Sequence, residues 1–408
     1  MSYYPNLFAD ARSATTVGLV AGVKLYRDGK SWRGECPLCH ASKGSVGNGA
    51  FWTNQAQSKW MCFGGCADKP CDVIDLERRL RGGTEREAAI RLVRGDGMTA
   101  AERRERDAEL AVRAQEDAAA EARKIRFRAE LAKRLWREGR PAKGTPVEAY
   151  LRACGFRGWQ LEEALKMVRF HPRAFHSGDQ KSPVIAPAMI GLLMTPHGPT
   201  GGVHVTYLSA DGTSKAALSP ARKKWGPAYI TLADDYRVPG AVWLTPPTGP
   251  GPVLVGEGYE TVMAGATLYG QPCRMVAALD LTTLQGRLLA DDSGRVDAVT
   301  PALDVTRPAF TWPAVERVIV CLDHDMNPID LPLIGGEGER TRLNATDRAL
   351  MCGVMAFAAW TATGTAEVQF ALPPVGLDLR DQMNRAPQSA LDIRELTAFD
   401  WRGATAFA

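Results

Sequence analysis

The sequence predicts an α/β chain, α+β overall, in which a small metal-binding domain precedes a parallel α/β domain. Five of the nine cysteines lie between Cys36 and Cys71, and an Ala-, Glu- and Arg-rich stretch follows over residues 98–140. Beyond residue 252, strand-like and helix-like segments alternate, a pattern typical of a parallel sheet. Because 408 residues are too many for one ordinary core, we expect two to four modules.

The bulk composition is that of a globular protein, with 45% apolar and 24% charged residues. No apolar run reaches the ~18 residues that a membrane span needs, and the amino terminus lacks the basic and apolar regions of a secretory signal. We therefore expect a cytoplasmic protein without a membrane segment, whose clustered cysteines bind metal rather than form disulfides. The formal net charge of +4 permits binding to nucleic acid but does not by itself indicate it.

Residues 1–97 carry two close pairs of cysteines. The pairs are Cys36 with Cys39, with two residues between them, and Cys62 with Cys66, with three residues between them. The 22 residues that separate the pairs are close to the spacing that places four thiolates around one tetrahedral Zn²⁺ ion. We therefore predict a zinc ribbon with these four cysteines as ligands of a structural Zn²⁺. Because the second pair has one residue more than is usual, Cys71 or His40 could replace one ligand.

Three aromatic residues, Phe51, Trp52 and Trp60, lie between the two cysteine pairs. Exposed aromatic side chains stack on unpaired bases. The pattern therefore predicts that the ribbon stacks on the unpaired bases of a single-stranded nucleic acid, with Trp60 among its contacts. The alternative is that each of these side chains packs in the core beneath the zinc site.

Two different segments follow the ribbon. Residues 98–140 contain no Pro, which favours a long charged helix that acts as a linker. Residues 141–245 open with a helix over 147–154 and continue with strand-like runs, which predicts a mixed α+β subdomain. This subdomain carries a basic stretch whose members are Lys215, Arg222, Lys223 and Lys224.

Acidic residues follow the apolar strands of residues 246–385. Glu257 follows a strand over residues 253–255, and Asp323 and Asp325 follow a strand over residues 315–322. Because ligand sites of parallel sheets lie at the carboxyl ends of the strands, we expect these three carboxylates to converge. Hard oxygen ligands in such a cluster suit Mg²⁺ or Mn²⁺.

A third strand and a long helix complete the predicted α/β domain. The strand covers residues 367–372, and the helix before it covers residues 341–360. Beyond this strand lie Asp378 and Asp381, which either complete the metal site or cap the helix that follows.

The cysteine and carboxylate motifs resemble those of bacterial DnaG-type primases, and more closely those of phage- and plasmid-encoded primases that join a zinc ribbon to a Toprim domain. Residues 36–66 are similar to the family's ribbon, and residues 149–156 to the segment that opens its catalytic core. The runs 255–258, 323–325 and 376–381 look like the three acidic motifs of Toprim. The sequence departs from the family by the extra residue in its second cysteine pair and by Cys39, where the cellular enzymes have His.

The resemblance implies a DNA primase, an enzyme that synthesises short RNA primers on a single-stranded DNA template by metal-dependent nucleotidyl transfer. Residues 141–245 would be the N-terminal subdomain of the catalytic core, residues 246–385 a Rossmann-like Toprim domain, and residues 386–408 a tail. Glu257 would then act in acid/base chemistry, and Asp323 and Asp325 would bind the catalytic metal. The resemblance also implies that the basic stretch, Lys215, Arg222, Lys223 and Lys224, binds nucleotide or template. The alternative for this stretch is a charged loop on a solvated face.

The expected partners are single-stranded DNA and nucleoside triphosphates. Since the sequence contains no G-x-x-x-x-G-K-[ST] motif, a replicative helicase would be a separate chain. Phage or plasmid replication is the expected setting. Two alternatives use the same residues: another Toprim enzyme such as a nuclease or topoisomerase, and a DNA-binding replication factor without catalytic activity.

Overall fold

A computed structural model of the chain describes residues 6–40, 49–94, 100–178, 181–291, 294–297, 302–332, 340–386 and 388–395. The chain divides into two compact units, Met1–Arg123 and Lys124–Ala408. The described residues form a mixed α+β structure with eleven α-helices and five sheets. Residues 98–99 of the predicted linker and residues 387 and 396–408 of the predicted tail lie outside the described part. None of the described helices combines the length and apolar composition that a membrane span requires.

The first unit is built on one antiparallel sheet. Its elements, in chain order, are α1 (Leu7–Ser13), α2 (Val17–Ala21), β1 (Leu25–Asp28), β2 (Ser31–Gly34), β3 (Phe51–Asn54), β4 (Trp60–Cys62), β5 (Ala67–Cys71), α3 (Val73–Arg81) and α4 (Glu85–Arg94). The strands pair in sequence order, β1-β2-β3-β4-β5. Helix α3 begins where the Asp72 side chain accepts hydrogen bonds from the Ile74 and Asp75 amides, and it ends at Gly82, whose φ of +72° lies in the left-handed region.

The two faces of this sheet differ in burial. The face that contains Phe51, Thr53 and Trp60 is fully buried and packs against the helices. The opposite face carries a row of cross-strand neighbours, since Tyr26 pairs with Arg33 and Arg33 with Trp52. Tyr26 is 51% exposed, and Trp52 and Arg33 are half-buried. The sheet therefore has one open face that is aromatic and basic.

The long helix α5 (Ala100–Glu138) agrees with the helical prediction for residues 98–140. Its last turns are not solvated throughout, because Leu131, Ala132 and Leu135 are buried. In the second unit these three side chains pack on strands that carry Ile190, Val203 and Val205.

The second unit contains two larger sheets. Its remaining elements, in chain order, are β6 (Arg140–Pro141), α6 (Pro146–Ala153), α7 (Gly158–Met167), β7 (Arg169–Ser177), β8 (Val184–Thr195), β9 (Gly198–Tyr207), β10 (Arg222–Trp225), β11 (Tyr229–Thr231), a 3₁₀ turn (Ala233–Asp235), β12 (Arg237–Pro239), β13 (Val242–Trp243), β14 (Val253–Gly256), α8 (Tyr259–Tyr269), β15 (Arg274–Ala277), α9 (Leu281–Gln285), β16 (Arg317–Cys321), β17 (Ile329–Pro332), β18 (Arg340–Leu343), α10 (Ala345–Ala362), β19 (Glu367–Ala371), α11 (Leu379–Arg385) and β20 (Ile393–Glu395). The first larger sheet is antiparallel, with the order β10-β9-β8-β7-β6.

The second larger sheet has the order β13-β15-β14-β16-β19-β20. Its four central strands, β15, β14, β16 and β19, are parallel, and the two edge strands are antiparallel to them. Every residue of β14 is buried, as expected for a parallel strand that is covered on both faces. The sheet thus confirms the predicted parallel strands and places the carboxyl ends of β14, β16 and β19 side by side.

The helix predicted over residues 341–360 was wrong at its start. Residues 340–343 form β18, which pairs with β17, and α10 begins only after Asn344. There the Asn344 side chain accepts a hydrogen bond from the Asp347 amide, while the Asp347 carboxylate accepts one from the Asn344 amide. This reciprocal capping box fixes the helix start at that position.

Candidate functional site

The four predicted zinc ligands lie together in the first unit. The potential ligand atoms of Cys36, Cys39, Cys62 and Cys66 are all within 4.8 Å of one another. The Sγ atoms of Cys36 and Cys66 are 3.9 Å apart, and those of Cys39 and Cys62 are 3.7 Å apart. A tetrahedral site with Zn–S bonds of 2.3 Å implies S···S separations of about 3.8 Å, so the donor set fits Zn²⁺.

The two alternative ligands lie outside this group. The Cys71 thiol donates to the Lys69 carbonyl, and His40 Nδ1 lies 3.2 Å from a carboxylate oxygen of Glu35. The extra residue in the second pair is accommodated by Gly65, whose φ of +95° allows a tight turn that a side chain would disfavour. Burial raises the pKa of the Cys36 thiol to about 11, so a bound cation would be needed to hold it as a thiolate near neutral pH.

Trp60 does not provide the stacking surface that the sequence suggested. Its side chain is completely buried, stacks on Phe51 at 5.7 Å between ring centroids, and donates from the indole nitrogen to the Asp72 carbonyl. The prediction that Trp60 contacts template was therefore wrong, and the alternative of core packing holds for it and for Phe51. The hairpin register is responsible, because it turns Trp60 to the covered face of the sheet while Trp52 is on the open one.

The predicted carboxylates follow three adjacent parallel strands in the second unit. Glu257 directly follows β14, Asp323 and Asp325 follow β16, and Asp378 lies beyond β19 at the start of α11. The register aligns these strand ends, since Gly256 is paired with Cys321 and Cys321 with Ala371. Asp325 is exposed, whereas Glu257 and Asp323 are half-buried.

Asp323 has the most perturbed carboxyl group at these strand ends. Burial, reinforced by the negative charges of Asp378 and Glu257, raises its pKa to about 7. The Thr261 hydroxyl donates to both of its oxygens, at 3.2 and 3.4 Å, and opposes the rise. Asp323, Asp378 and Glu257 thus disfavour one another's ionisation, and a bound cation would stabilise all three in the charged form.

Glu257 is affected by charges of both signs. Burial and the nearby Asp280 raise the pKa of its carboxyl group, while the positive charges of Arg222 and Arg348 oppose the rise. An elevated pKa suits a group that must accept or donate a proton near neutral pH.

Asp378 caps a helix, which is one of the two roles considered for it. Its Oδ1 accepts a hydrogen bond of 2.6 Å from the Asp381 amide at the start of α11. Burial and the charges of Asp381 and Asp325 raise the pKa of Asp378. Asp381 lies in the first turn of α11 and, with Lys215 and Arg380, lines a groove of about 490 Å³.

The carboxylates are neighbours but not a closed ligand set. Among the residues that the structure describes, only the four cysteines form a group of three or more ligand atoms within 4.8 Å of one another. Oxygen ligands of Mg²⁺ lie 2.0–2.1 Å from the ion, hence at most about 4.2 Å apart. Three carboxylates would therefore converge on one ion only after side-chain rotation, and the donor chemistry otherwise fits Mg²⁺ or Mn²⁺.

Three of the four basic residues lie close to this edge of the parallel sheet. Lys215 Nζ lies 2.9 Å from Oε1 of Glu260, and Arg222 Nη2 lies 3.2 and 3.3 Å from its two carboxylate oxygens. Lys224 forms an ion pair with Asp280, the residue that caps α9. The acids that hold these cations come from α8 and from the segment that follows β15.

Lys223 does not join the other three. Alternation along β10 turns its side chain to the opposite face, where Nζ donates to the His176 carbonyl at 2.6 Å and lies over the Trp225 ring. Burial, with the charge of Arg128, lowers its pKa. On the other face, Arg222 and Lys224 lie opposite Thr206 and His204 of β9.

Sequence reasoning missed Glu260, Asp280 and Thr261. Glu260 and Thr261 lie three and four residues beyond Glu257 in one short run, so a motif-based search around Glu257 would have included both. Asp280 follows the carboxyl end of β15, so the strand-end pattern that identified the other acids would have identified it too. The pairing of these acids with the basic stretch had no sequence signal.

The chain is similar to one sequence family and to two solved structures. A sequence family described as a domain of unknown function, DUF7146, matches residues 126–231, a segment that includes β10 and its basic side chains. No curated protein sequence matches the chain. The fold is similar to the RNA polymerase domain of Mycobacterium tuberculosis primase DnaG, with 14% identity, a TM-score of 0.32 and coverage of 64% of this chain and 79% of that one. It is also similar to a DnaG primase catalytic domain bound to ssDNA, with 14% identity, a TM-score of 0.35 and coverage of 65% and 79%.

Proposed function

We propose that this chain is a primase, which synthesises short RNA primers on single-stranded DNA, in a phage or plasmid replication system. The observation that supports the proposal is that Glu257, Asp323 and Asp325 follow the adjacent carboxyl ends of β14 and β16. This edge is where parallel α/β sheets place ligands, and its residues form the motifs that resemble the Toprim domain of primases.

The reaction joins two nucleotides on the template. The 3′-hydroxyl of one nucleotide loses its proton and attacks the α-phosphorus of a nucleoside triphosphate, and pyrophosphate leaves. Glu257 accepts that proton, a role that suits its raised pKa. A Mg²⁺ or Mn²⁺ ion on Asp323 and Asp325, with Asp378 and Asp381 beside them, would stabilise the attacking and leaving oxygens.

The basic side chains beside the carboxylates are proposed to bind the substrates. Lys215, Arg222 and Lys224 lie close to this edge, and Lys215 lines the groove next to α11. Their positive charge would offset the negative charge of a triphosphate or a template phosphate. Lys223, on the far face of β10, is not included in this role.

The open face of the ribbon sheet is proposed as the template surface in place of Trp60. Tyr26, Arg33 and Trp52 form its cross-strand row. Phe63 is 55% exposed, with the Arg33 guanidinium 4.3 Å from its ring centroid. Exposed rings with adjacent cations are suited to stacking on bases while neutralising phosphates.

A primer-synthesis assay tests the proposed function. Wild type and Asp323→Ala are incubated with single-stranded DNA, labelled ribonucleotides and Mg²⁺, and a separate replicative helicase is added in a parallel series. We expect short oligonucleotides from wild type and none from the variant. Metal-dependent cutting of the DNA without any oligonucleotide product would identify a nuclease instead and refute the primase proposal.

A further inference from the structure

Glu260 is a buried carboxylate that the proposed reaction does not use. It lies in the first turn of α8, and its residue is only 6% exposed. The Tyr150 hydroxyl, Lys215 Nζ and Arg222 Nη2 all contact its oxygens. The three partners come from α6, from the segment before β10 and from β10 itself.

A purely structural role would not require a charge at this position. An ion pair with a buried member is often no more stabilising than apolar side chains of the same volume, because both charges lose water. Such a pair does, however, restrict the orientation of its partners. Lys215 and Arg222 have long, flexible side chains that would otherwise sample many rotamers.

Both cations remain accessible while Glu260 holds them. The side chain of Lys215 is 29% exposed, and that of Arg222 is 40% exposed. The two Arg222 contacts to Glu260 use a single nitrogen, Nη2. A guanidinium has five N–H donors, so an anchored Arg222 can still offer a fork of donors to a phosphate.

The anchored cations are next to the strand-end carboxylates. The positive charge of Arg222 lowers the pKa of Glu257 against the effect of burial, and Lys215 lines the groove that also contains Arg380 and Asp381. A ligand that bridges the carboxylate edge and this groove would meet both cations.

We propose that Glu260 is a positioning residue, which holds Lys215 and Arg222 in the orientation that binds the triphosphate of a magnesium-bound nucleoside triphosphate. The inference rests on the proposed function for the class of ligand. It goes beyond that function by assigning the orientation of the two cations to a buried acid that touches neither substrate nor metal. Glu260→Gln is therefore expected to weaken nucleotide binding although the glutamine itself makes no contact with the nucleotide.

The test measures the affinity of the full-length protein for a fluorescent ATP analogue in the presence of Mg²⁺. Four proteins form a double-mutant cycle: wild type, Glu260→Gln, Arg222→Met and the double variant. We expect each single variant to bind about tenfold more weakly. The double variant should bind clearly less than a hundredfold more weakly, because Arg222 is one of the two cations through which Glu260 acts and the losses of coupled residues are not additive. Additive losses, or unchanged binding in Glu260→Gln, would overturn the proposal.

Glu77→Gln is the matched control. Glu77 is another buried carboxylate, 2% exposed, that contacts two arginines, Arg81 and Arg91, but it lies in the first unit. The same chemical change there should leave nucleotide affinity unchanged, and an equal loss in this control would overturn the specific role of Glu260. If Glu260→Gln fails to fold, Glu260→Asp replaces it. That variant keeps the charge but withdraws it from the cations, so about threefold weaker binding is expected and wild-type affinity would overturn the proposal.

Two further readouts separate this inference from the proposed function. Single-stranded DNA affinity is measured on the same variants, and a loss confined to DNA would overturn the assignment of a triphosphate. Primer synthesis is measured in parallel. Absence of primers from wild type, together with the expected nucleotide cycle, would refute the primase function and leave the role of Glu260 standing.

Discussion

Lowering the pH should remove the stabilisation that Glu260 gives to the second unit. Burial alone would raise the pKa of this carboxyl group, but Arg222 and Lys215, with the Tyr150 hydroxyl, hold it at about 2, against an ordinary value of 4.5. At 1.36 kcal/mol for each pKa unit, the difference corresponds to about 3 kcal/mol. Because the pKa in the folded state lies below that in the unfolded state, this stabilisation is complete above about pH 4.5 and is lost as the pH falls towards 2.

The measurement compares wild type with Glu260→Gln in urea unfolding at several pH values from 7 to 3, followed by circular dichroism. Protonated glutamate and glutamine are both uncharged and have nearly the same shape, so the two proteins should converge at low pH. We expect wild type to be more stable by about 3 kcal/mol at pH 7 and the gap to shrink steadily below pH 4.5. Other acids, and the cysteine cluster, titrate in both proteins and cancel in the difference. A gap that stays constant or widens as the pH falls would show that the Glu260 charge does not stabilise the second unit.

Three other predictions concern the two candidate metal sites and the ribbon surface. Cys66→Ser should abolish bound zinc, measured by elemental analysis of the purified protein, whereas Cys71→Ser should retain it; the reverse result would show that the ligands are misassigned. Asp323→Asn should raise the melting temperature in EDTA at pH 8, because it removes a carboxylate whose ionisation is disfavoured. The same variant should no longer be stabilised by added Mg²⁺, and an unchanged response to Mg²⁺ would argue against a metal site at Asp323. Trp52→Ala and Tyr26→Ala should each weaken binding to single-stranded DNA about tenfold by fluorescence anisotropy, as expected for the loss of one stacked base, and unchanged binding in both would exclude the open face of the sheet as the template surface.

The strands β14 and β16 were predictable because each contains a short, uninterrupted apolar run with an acidic residue within two positions of its end. Glu257, Asp323 and Asp325 were therefore identified correctly as strand-end residues. The run of β19 is interrupted by the buried Gln369, and Asp378 lies seven positions beyond its end. The cysteine group was equally predictable, since two close pairs within one short domain can meet without knowledge of the rest of the fold.

The faces of the ribbon could not be read from composition. Trp52 and Trp60 are both aromatic and lie on neighbouring strands, but the hairpin register sends one to the open face and the other to the core. A shift of one residue would exchange them. The sequence does not determine that register. The number of residues between the cysteine pairs limits the length of the β3–β4 hairpin but does not specify which residues of the two strands pair.

The environment of the basic stretch was also beyond the sequence. Glu260 contacts Tyr150, 110 positions away, and Arg222, 38 positions away. Such contacts depend on how the antiparallel sheet packs against α8, and no local pattern records that packing. For the same reason, the sequence did not show that residues 222–224 form a strand. Only that strand, β10, divides Arg222 and Lys224 on one face from Lys223 on the other.

If the protein is a primase, the carboxylate edge of the parallel sheet starts RNA chains on single-stranded DNA. The most direct measurement incubates the full-length protein with unprimed circular single-stranded DNA, Mg²⁺ and ribonucleoside triphosphates labelled at the γ-phosphate. Only a chain begun without a primer keeps that label at its 5′ end. We predict labelled oligonucleotides from wild type, and none from Asp323→Asn or when Mg²⁺ is omitted. Labelled products that Asp323→Asn forms as readily as wild type would show that this edge is not the site of synthesis. A complete absence of labelled products from wild type on every template would show that the protein is not a primase.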